Sequence, residues 1–201
     1  MKATDVYIVD DDEAVRRSLS FLLKTAGIPS HTYASGSSFL AEEASLAVGC
    51  MITDLRMPGM DGLELINRLQ ETGLRHAVIV ISGHGDIALA VEAMKAGALD
   101  FIEKPFDDAV LLAAVRTALD RGQVGDNQEA KRQCFDGLMA TLSRREQEVL
   151  RRVVAGLPNK VIAYQLGISA RTVEVHRANM MQKTRARSLS DLVRMALSAG
   201  V

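Results

Sequence analysis

The stretch Val6-Tyr7-Ile8-Val9-Asp10-Asp11-Asp12 sets four apolar residues, three of them β-branched, directly before three carboxylates. Three further runs have the same form: Val48 to Thr53 leads to Asp54, Val78 to Ile81 to Ser82-Gly83, and Leu99 to Ile102 to Lys104-Pro105. Continuous apolar runs of this length, separated by segments of helical period, are the pattern of strands buried on both faces of a parallel sheet. In such a sheet ligands bind where the carboxyl ends of the strands converge, at the topological switch point. The four polar clusters are therefore expected in one crevice, although dozens of residues separate them.

Between the runs the period changes. Glu13 to Ala26 places Val15, Leu19, Leu22 and Leu23 on one helical face, and Gly27-Ile28-Pro29 stops it. A further strand is expected over Ser30 to Tyr33, and helices over Gly36 to Ala44, Gly62 to Glu71, Asp86 to Ala96 and Asp107 to Asp120. Five βα units joined by right-handed crossovers give a doubly wound α/β fold with a five-stranded parallel sheet. From Gly122 to Asp136 the apolar period is lost and the composition is that of a linker, although its Gln, Glu, Ala, Lys and Arg residues also suit a helical extension. The boundaries expected are 1–121, a linker at 122–137, and a second domain at 138–201.

Past Leu138 the pattern is helical throughout. Ser143-Arg144-Arg145-Glu146 matches a capping box that opens a helix with Val149, Leu150, Val153 and Val154 on its apolar face. A short helix follows at Asn159 to Leu166, then a tight turn at Gly167-Ile168-Ser169, a longer helix from Ala170 to Thr184, and a last one from Ser188 to Ala199. A short helix, a glycine-containing turn and a longer polar helix are the parts of a helix-turn-helix, so this is a small all-α domain.

Charge divides along the same line. Of the 201 residues, those at 1–121 hold 11 Lys and Arg against 18 Asp and Glu, and those at 122–201 hold 13 against 7, so an acidic half precedes a basic one. A cation or basic protein surface suits the first and nucleic acid the second, although solvated charge alone also gives such a split. Cys50 falls within an apolar strand and Cys134 in the linker, with no metal spacing or C-x-x-C context. No apolar stretch approaches the ~18 to 20 residues that span a bilayer, and no apolar leader precedes the first strand. A reduced, cytoplasmic protein without a membrane partner is expected.

The chemistry of the acidic crevice follows from its residue types. Asp10 and Asp11, together with Asp54, offer hard oxygen ligands suited to Mg²⁺, and Mn²⁺ has similar preferences. Asp54 is the carboxylate nucleophile for a phosphoryl group, Lys104 supplies an ammonium to a phosphoryl oxygen, and Ser82 supplies a hydroxyl donor. Asp12 is read first as the N-cap of the Glu13 helix and only second as a metal contact.

With these residues in place, positions 4–121 resemble a receiver domain of a two-component response regulator, which implies the strand order 2-1-3-4-5. The likeness rests on the Asp pair, on Asp54-Leu55-Arg56-Met57-Pro58-Gly59-Met60-Asp61-Gly62, on Ser82-Gly83 and on Lys104-Pro105-Phe106. It implies that a sensor histidine kinase phosphorylates Asp54, that Arg56 lends its backbone carbonyl to the metal, and that Phe101 fills an aromatic switch position. A plain core aromatic is the other reading of Phe101.

Residues 141–199 are similar to the helix-turn-helix output domain of the NarL/FixJ and LuxR type. The carrying residues are Leu142 to Glu146, Gly156-Leu157-Pro158-Asn159-Lys160, Ile162-Ala163, Leu166 to Ser169, Thr172-Val173 and Val175-His176. Ser82 to Asp86 and Arg177-Ala178-Asn179 bring the resemblance nearest to FixJ-like regulators. On the Ala170 helix, Val173 and Met180, seven apart, form a core pair and leave Val175 exposed for a thymine methyl. Thr172 lies in the same first turns, Glu174 suits cytosine N4 or a solvated position, and Arg171 and Arg177 suit base edges or phosphates. Lys160 and Lys183 suit phosphates. His176 is read as a helix-packing residue.

The function expected is phosphorylation-dependent transcription regulation without enzymatic turnover beyond slow self-dephosphorylation. Double-stranded promoter DNA is the target, phosphorylation favours a homodimer, and RNA polymerase is a further partner. Two other classes remain beside it: a Mg²⁺-dependent aspartyl phosphatase, and a relay receiver with an RNA- or protein-binding tail.

Overall fold

The computed structural model describes residues 5–73, 76–83, 87–121, 139–186 and 188–198. The expected linker at 122–137, with Cys134, lies outside the described residues. By proximity the chain divides into two compact units, Met1–Gly85 with Ala96–Val124, and Asp86–Lys95 with Gly125–Val201.

In the first unit, β1 (Val6–Val9), β2 (Ser30–Tyr33), β3 (Cys50–Asp54), β4 (Ala77–Ser82) and β5 (Asp100–Glu103) form one sheet in the order β2-β1-β3-β4-β5. Every pairing is parallel. All four residues of β1 are buried, as its unbroken apolar run requires. The helices of the chain's first half are α1 (Glu13–Thr25), α2 (Gly36–Glu42), α3 (Gly62–Thr72), α4 (Ile87–Lys95) and α5 (Asp108–Arg121). Alternation along the strands sends Val6, Ile8, Cys50, Ile52, Ile79 and Ile81 into one core with Leu19 and Leu23 of α1 and Leu111 and Val115 of α5. On the other face Tyr7 meets the rings of Phe39 and His76, with centroids 5.7 and 5.3 Å away.

Two boundaries differ from the sequence reading by two residues, the others by one at most. The third strand begins at Cys50 rather than Val48, because Gly49 runs so close to β1 that a Cβ there would lie 2.3 Å from the Asp5 carbonyl, and Val48 is left half exposed. The second helix stops at Glu42 and continues as a single 3₁₀ turn, Glu43–Ser45.

The C-terminal helices are α6 (Arg144–Val154), α7 (Asn159–Leu166), α8 (Ala170–Thr184) and α9 (Leu189–Ser198). The α6 capping box is complete: the Ser143 hydroxyl accepts from the Glu146 N–H, and the Glu146 carboxylate accepts from the Ser143 N–H at 2.7 Å. Val149, Leu150, Val153 and Val154 are buried, and Val173 and Met180 of α8 are sealed from solvent. Gly167, in the left-handed region at φ 64°, ends α7, and the Ser169 side chain caps α8. Helix, tight turn and helix thus stand as the spacing predicts.

Candidate functional site

Asp10 directly follows β1, Asp54 and Ser82 end β3 and β4, and Lys104 follows β5, so the parallel sheet delivers all four to one edge. Lys104 Nζ stands 2.8 Å from Asp54 Oδ1 and 3.5 Å from Asp10 Oδ2. The remaining carboxylate oxygens receive backbone donors: Asp54 Oδ2 from the Arg56 N–H and Asp10 Oδ1 from the Asp12 N–H, both at 2.8 Å. Ser82 is buried, and its carbonyl accepts from the Lys104 N–H at 2.7 Å, which ties the ends of β4 and β5 together. Phe101 is buried on β5.

Electrostatics at this edge are dominated by burial and by the lysine. Burial raises the Asp10 carboxyl above its ordinary value, with the Asp12 N–H and Lys104 opposing it. Burial also pushes the Lys104 ammonium down, but the hydrogen bond and charge of Asp54, followed by those of Asp10, leave it above its usual value. Asp11 is exposed, and among the described residues no three carboxylates, imidazoles or thiolates stand close enough together to grip an ion as they lie. Lys104 lies between two of the three carboxylates, and its single positive charge is shared between Asp54 and Asp10. The donor type at this edge, carboxylate oxygen, is that of a hard divalent cation.

Two features around this edge were not legible in the sequence. The Arg16 guanidinium donates to the Asp10 carbonyl at 2.7 Å, clamping the turn after β1 from the first turn of α1. Gly62, the first residue of α3, packs so tightly that a Cβ would lie 2.4 Å from the Asp54 carbonyl. Asp12 is the α1 cap, its carboxylate accepting from the Ala14 N–H at 2.7 Å.

In the basic domain the residues read as DNA contacts fall into two groups. Lys160, Arg171, Glu174 and Val175 are exposed, Val175 by 53 %. The other three are engaged inside the domain. Thr172 Oγ1 lies 2.8 Å from the Ser169 hydroxyl, Arg177 is half buried and donates to Asn159 Oδ1 at 3.1 Å, and Lys183 Nζ lies 2.7 Å from the carboxylate of buried Glu146. Burial lowers the Arg177 guanidinium from its ordinary value, with the Glu174 charge opposing it. Glu146 is lowered overall: burial raises it, but the Lys183 hydrogen bond and the two Ser143 donors prevail. Glu146 was read only as a cap; its second role depends on a partner 37 residues away.

Comparison with known proteins places both halves. The family model described as "Response regulator receiver domain" matches residues 6–116, and that described as "Bacterial regulatory proteins, luxR family" matches residues 140–196. The chain is 55 % identical over 196 residues to the transcriptional regulatory protein FixJ of Azorhizobium caulinodans, covering 98 % of this chain and 93 % of that one. It is 50 % identical over 195 residues to FixJ of Rhizobium meliloti, covering 97 % and 96 %. Among solved structures, full-length FixJ from B. japonicum superposes with a TM-score of 0.59 at 44 % identity, over 100 % of this chain and 98 % of that one.

These likenesses set aside the aspartyl-phosphatase reading, since the family is one of transcriptional regulators rather than classical enzymes, and the RNA- or protein-binding tail, since the second half matches a DNA-binding domain. Among the described residues no helix is long and apolar enough to cross a membrane. The chain belongs to the FixJ-like response regulators, transcription regulators in which a phosphorylated receiver domain governs a LuxR-type DNA-binding domain.

Proposed function

We propose that Asp54 is the phosphoacceptor of this regulator, and that a sensor histidine kinase is the donor. The observation that carries the reading is the position of Asp54, at the end of the central strand with Lys104 Nζ at 2.8 Å and Asp10 beside it. A carboxylate oxygen of Asp54 attacks phosphorus, the N–P bond of the donor phosphohistidine breaks, and the imidazole leaves with a proton while an acyl phosphate forms. Asp10, Asp11, Asp54 and the Arg56 carbonyl would hold Mg²⁺, or Mn²⁺, which supplies neutralisation of the transferring oxygens. Lys104 then exchanges its carboxylate partner for a phosphoryl oxygen, and the Ser82 hydroxyl donates to another. Phe101 moves with β5 as the switch.

The acyl phosphate favours a homodimer, which brings two α8 helices onto half-sites about one helical turn apart and presents them to RNA polymerase at promoter DNA. The receiver occupies 1–121, a linker 122–137 and the output domain 138–201. Self-dephosphorylation is slow, and the protein works in the cytoplasm. The direct test is phosphate incorporation from an acyl-phosphate donor in Mg²⁺. Wild type should take up acid- and base-labile phosphate and Asp54→Asn none, because the amide keeps the shape but is no nucleophile. Wild-type incorporation by Asp54→Asn overturns the assignment.

A further inference from the structure

Lys183 and Arg177 are withdrawn from the DNA-facing set by their internal partners, which changes what the exposed side of α8 offers. Its buried line is Val173, Met180 and Thr184, spaced by seven and four residues. On the opposite side lie Arg171, Val175 and Asn179, successive at four-residue spacing, with Ala178 and Gln182 beside them, all exposed. Glu174 is rotated from Val175 by about 100° around the helix, toward the flank. Among the described residues no hydrogen bond engages the Asn179 or Gln182 amide.

We propose that Asn179 is a specificity-determining residue, its amide reading adenine in the major groove. The claim rests on the reading that α8 is the helix that enters that groove. An asparagine amide carries one donor and one acceptor side by side and so matches adenine N6 and N7 in a bidentate pair. Val175 lies one turn before it, so about 6 Å of helix rise separates a methyl-sized apolar contact from an amide. That interval is close to two base-pair steps of duplex DNA, at about 3.4 Å each. Val175 therefore meets a thymine methyl and Asn179 an adenine about two steps on, while Arg171, one turn earlier, marks the other end of the stripe. Lys160 on α7 anchors to a phosphate and carries no base information.

The test is selection from random duplex DNA with the full chain, treated with an acyl-phosphate donor in Mg²⁺. Wild type should return a motif containing an adenine. Asn179→Ala should lose preference at that one base pair by about 5- to 150-fold, keep the rest of the motif, and bind non-specific DNA with an unchanged salt slope. Asn179→Asp, which accepts but cannot donate, should move the preference at the same position toward cytosine, whose N4 is a donor. An unaltered motif from both variants, with wild-type binding intact, overturns the assignment of Asn179 alone. Binding by wild type without any motif overturns the groove reading and takes the proposal with it.

Discussion

Lys183 and Glu146 form an ion pair 2.7 Å long between the last turn of α8 and the first turn of α6. Glu146 is buried, so the lysine balances a carboxylate that has little water of its own, and the pair ties the end of α8 to the start of α6.

Lys183→Ala should accordingly act first on stability. Removal of one partner of a hydrogen-bonded carboxylate costs on the order of 1–3 kcal/mol, and the exposure of Lys183 places this case toward the low end. Chemical denaturation of the full chain should show the output-domain transition shifted, whereas the salt slope of DNA binding should stay as in wild type. A salt slope reduced by about one with unchanged stability would restore Lys183 to the phosphate-contacting set.

Lys104 makes the acidic edge tolerable without a metal. Lys104→Met should leave Asp10 and Asp54 facing each other unneutralised, destabilising the receiver by about 1–3 kcal/mol in metal-free buffer. Mg²⁺ should recover more stability in this variant than in wild type, since a ligand that binds only the folded state stabilises in proportion to its saturation. Parallel melting curves with and without millimolar Mg²⁺ measure the difference; equal Mg²⁺ increments in the two proteins would show that lysine and metal do not share the site.

His76 sets a pH limit. It is buried, its Nδ1 accepts from the Gly49 N–H at 3.1 Å, and the rings of Tyr7 and Phe39 pack against it. Burial lowers its pKa from the ordinary 6.5. The unfolded chain therefore takes up the proton first as pH falls. The contribution of neutral His76 to stability is complete above about pH 6.5, declines as pH drops below that value, and levels off beneath the depressed folded pKa. The slope within that window is at most about 1.4 kcal/mol per pH unit from this one group. His76→Phe should flatten the receiver's denaturation midpoint between pH 6.5 and 5; a curve as steep as wild type would assign the dependence to other groups.

Most of the architecture was open to reading because β1, β3 and β4 are built on apolar runs and glycines stop helices between them. The strand order followed from the receiver resemblance, and the convergence of Asp10, Asp54, Ser82 and Lys104 from the carboxyl ends of a parallel sheet. The start of β3 was misplaced by two residues because Val48 is as apolar as any strand residue. What decides the boundary is the close approach of Gly49 to Asp5, a contact across 44 positions that hydropathy does not register. On α8, Val173, Val175 and Met180 sorted correctly by helical spacing. The partners of Arg177 and Lys183, Asn159 and Glu146, lie 18 and 37 residues away, so their pairing depends on tertiary packing, and a free arginine and a tethered one are written with the same letter.

Cys50 sits on the central strand with no solvent exposure, and burial lifts its thiol to about 12. At neutral pH almost none of this thiol is the reactive thiolate, and the side chain is packed in the core with Leu19 and Leu23 of α1 and Leu111 and Val115 of α5. The side chain is therefore silent toward alkylating reagents for as long as β3 stays paired, and becomes reactive only when the strand parts from its neighbours. Nature has placed a chemical stopwatch at the centre of the receiver: the rate at which this thiol is consumed counts openings of the very strand that ends in Asp54.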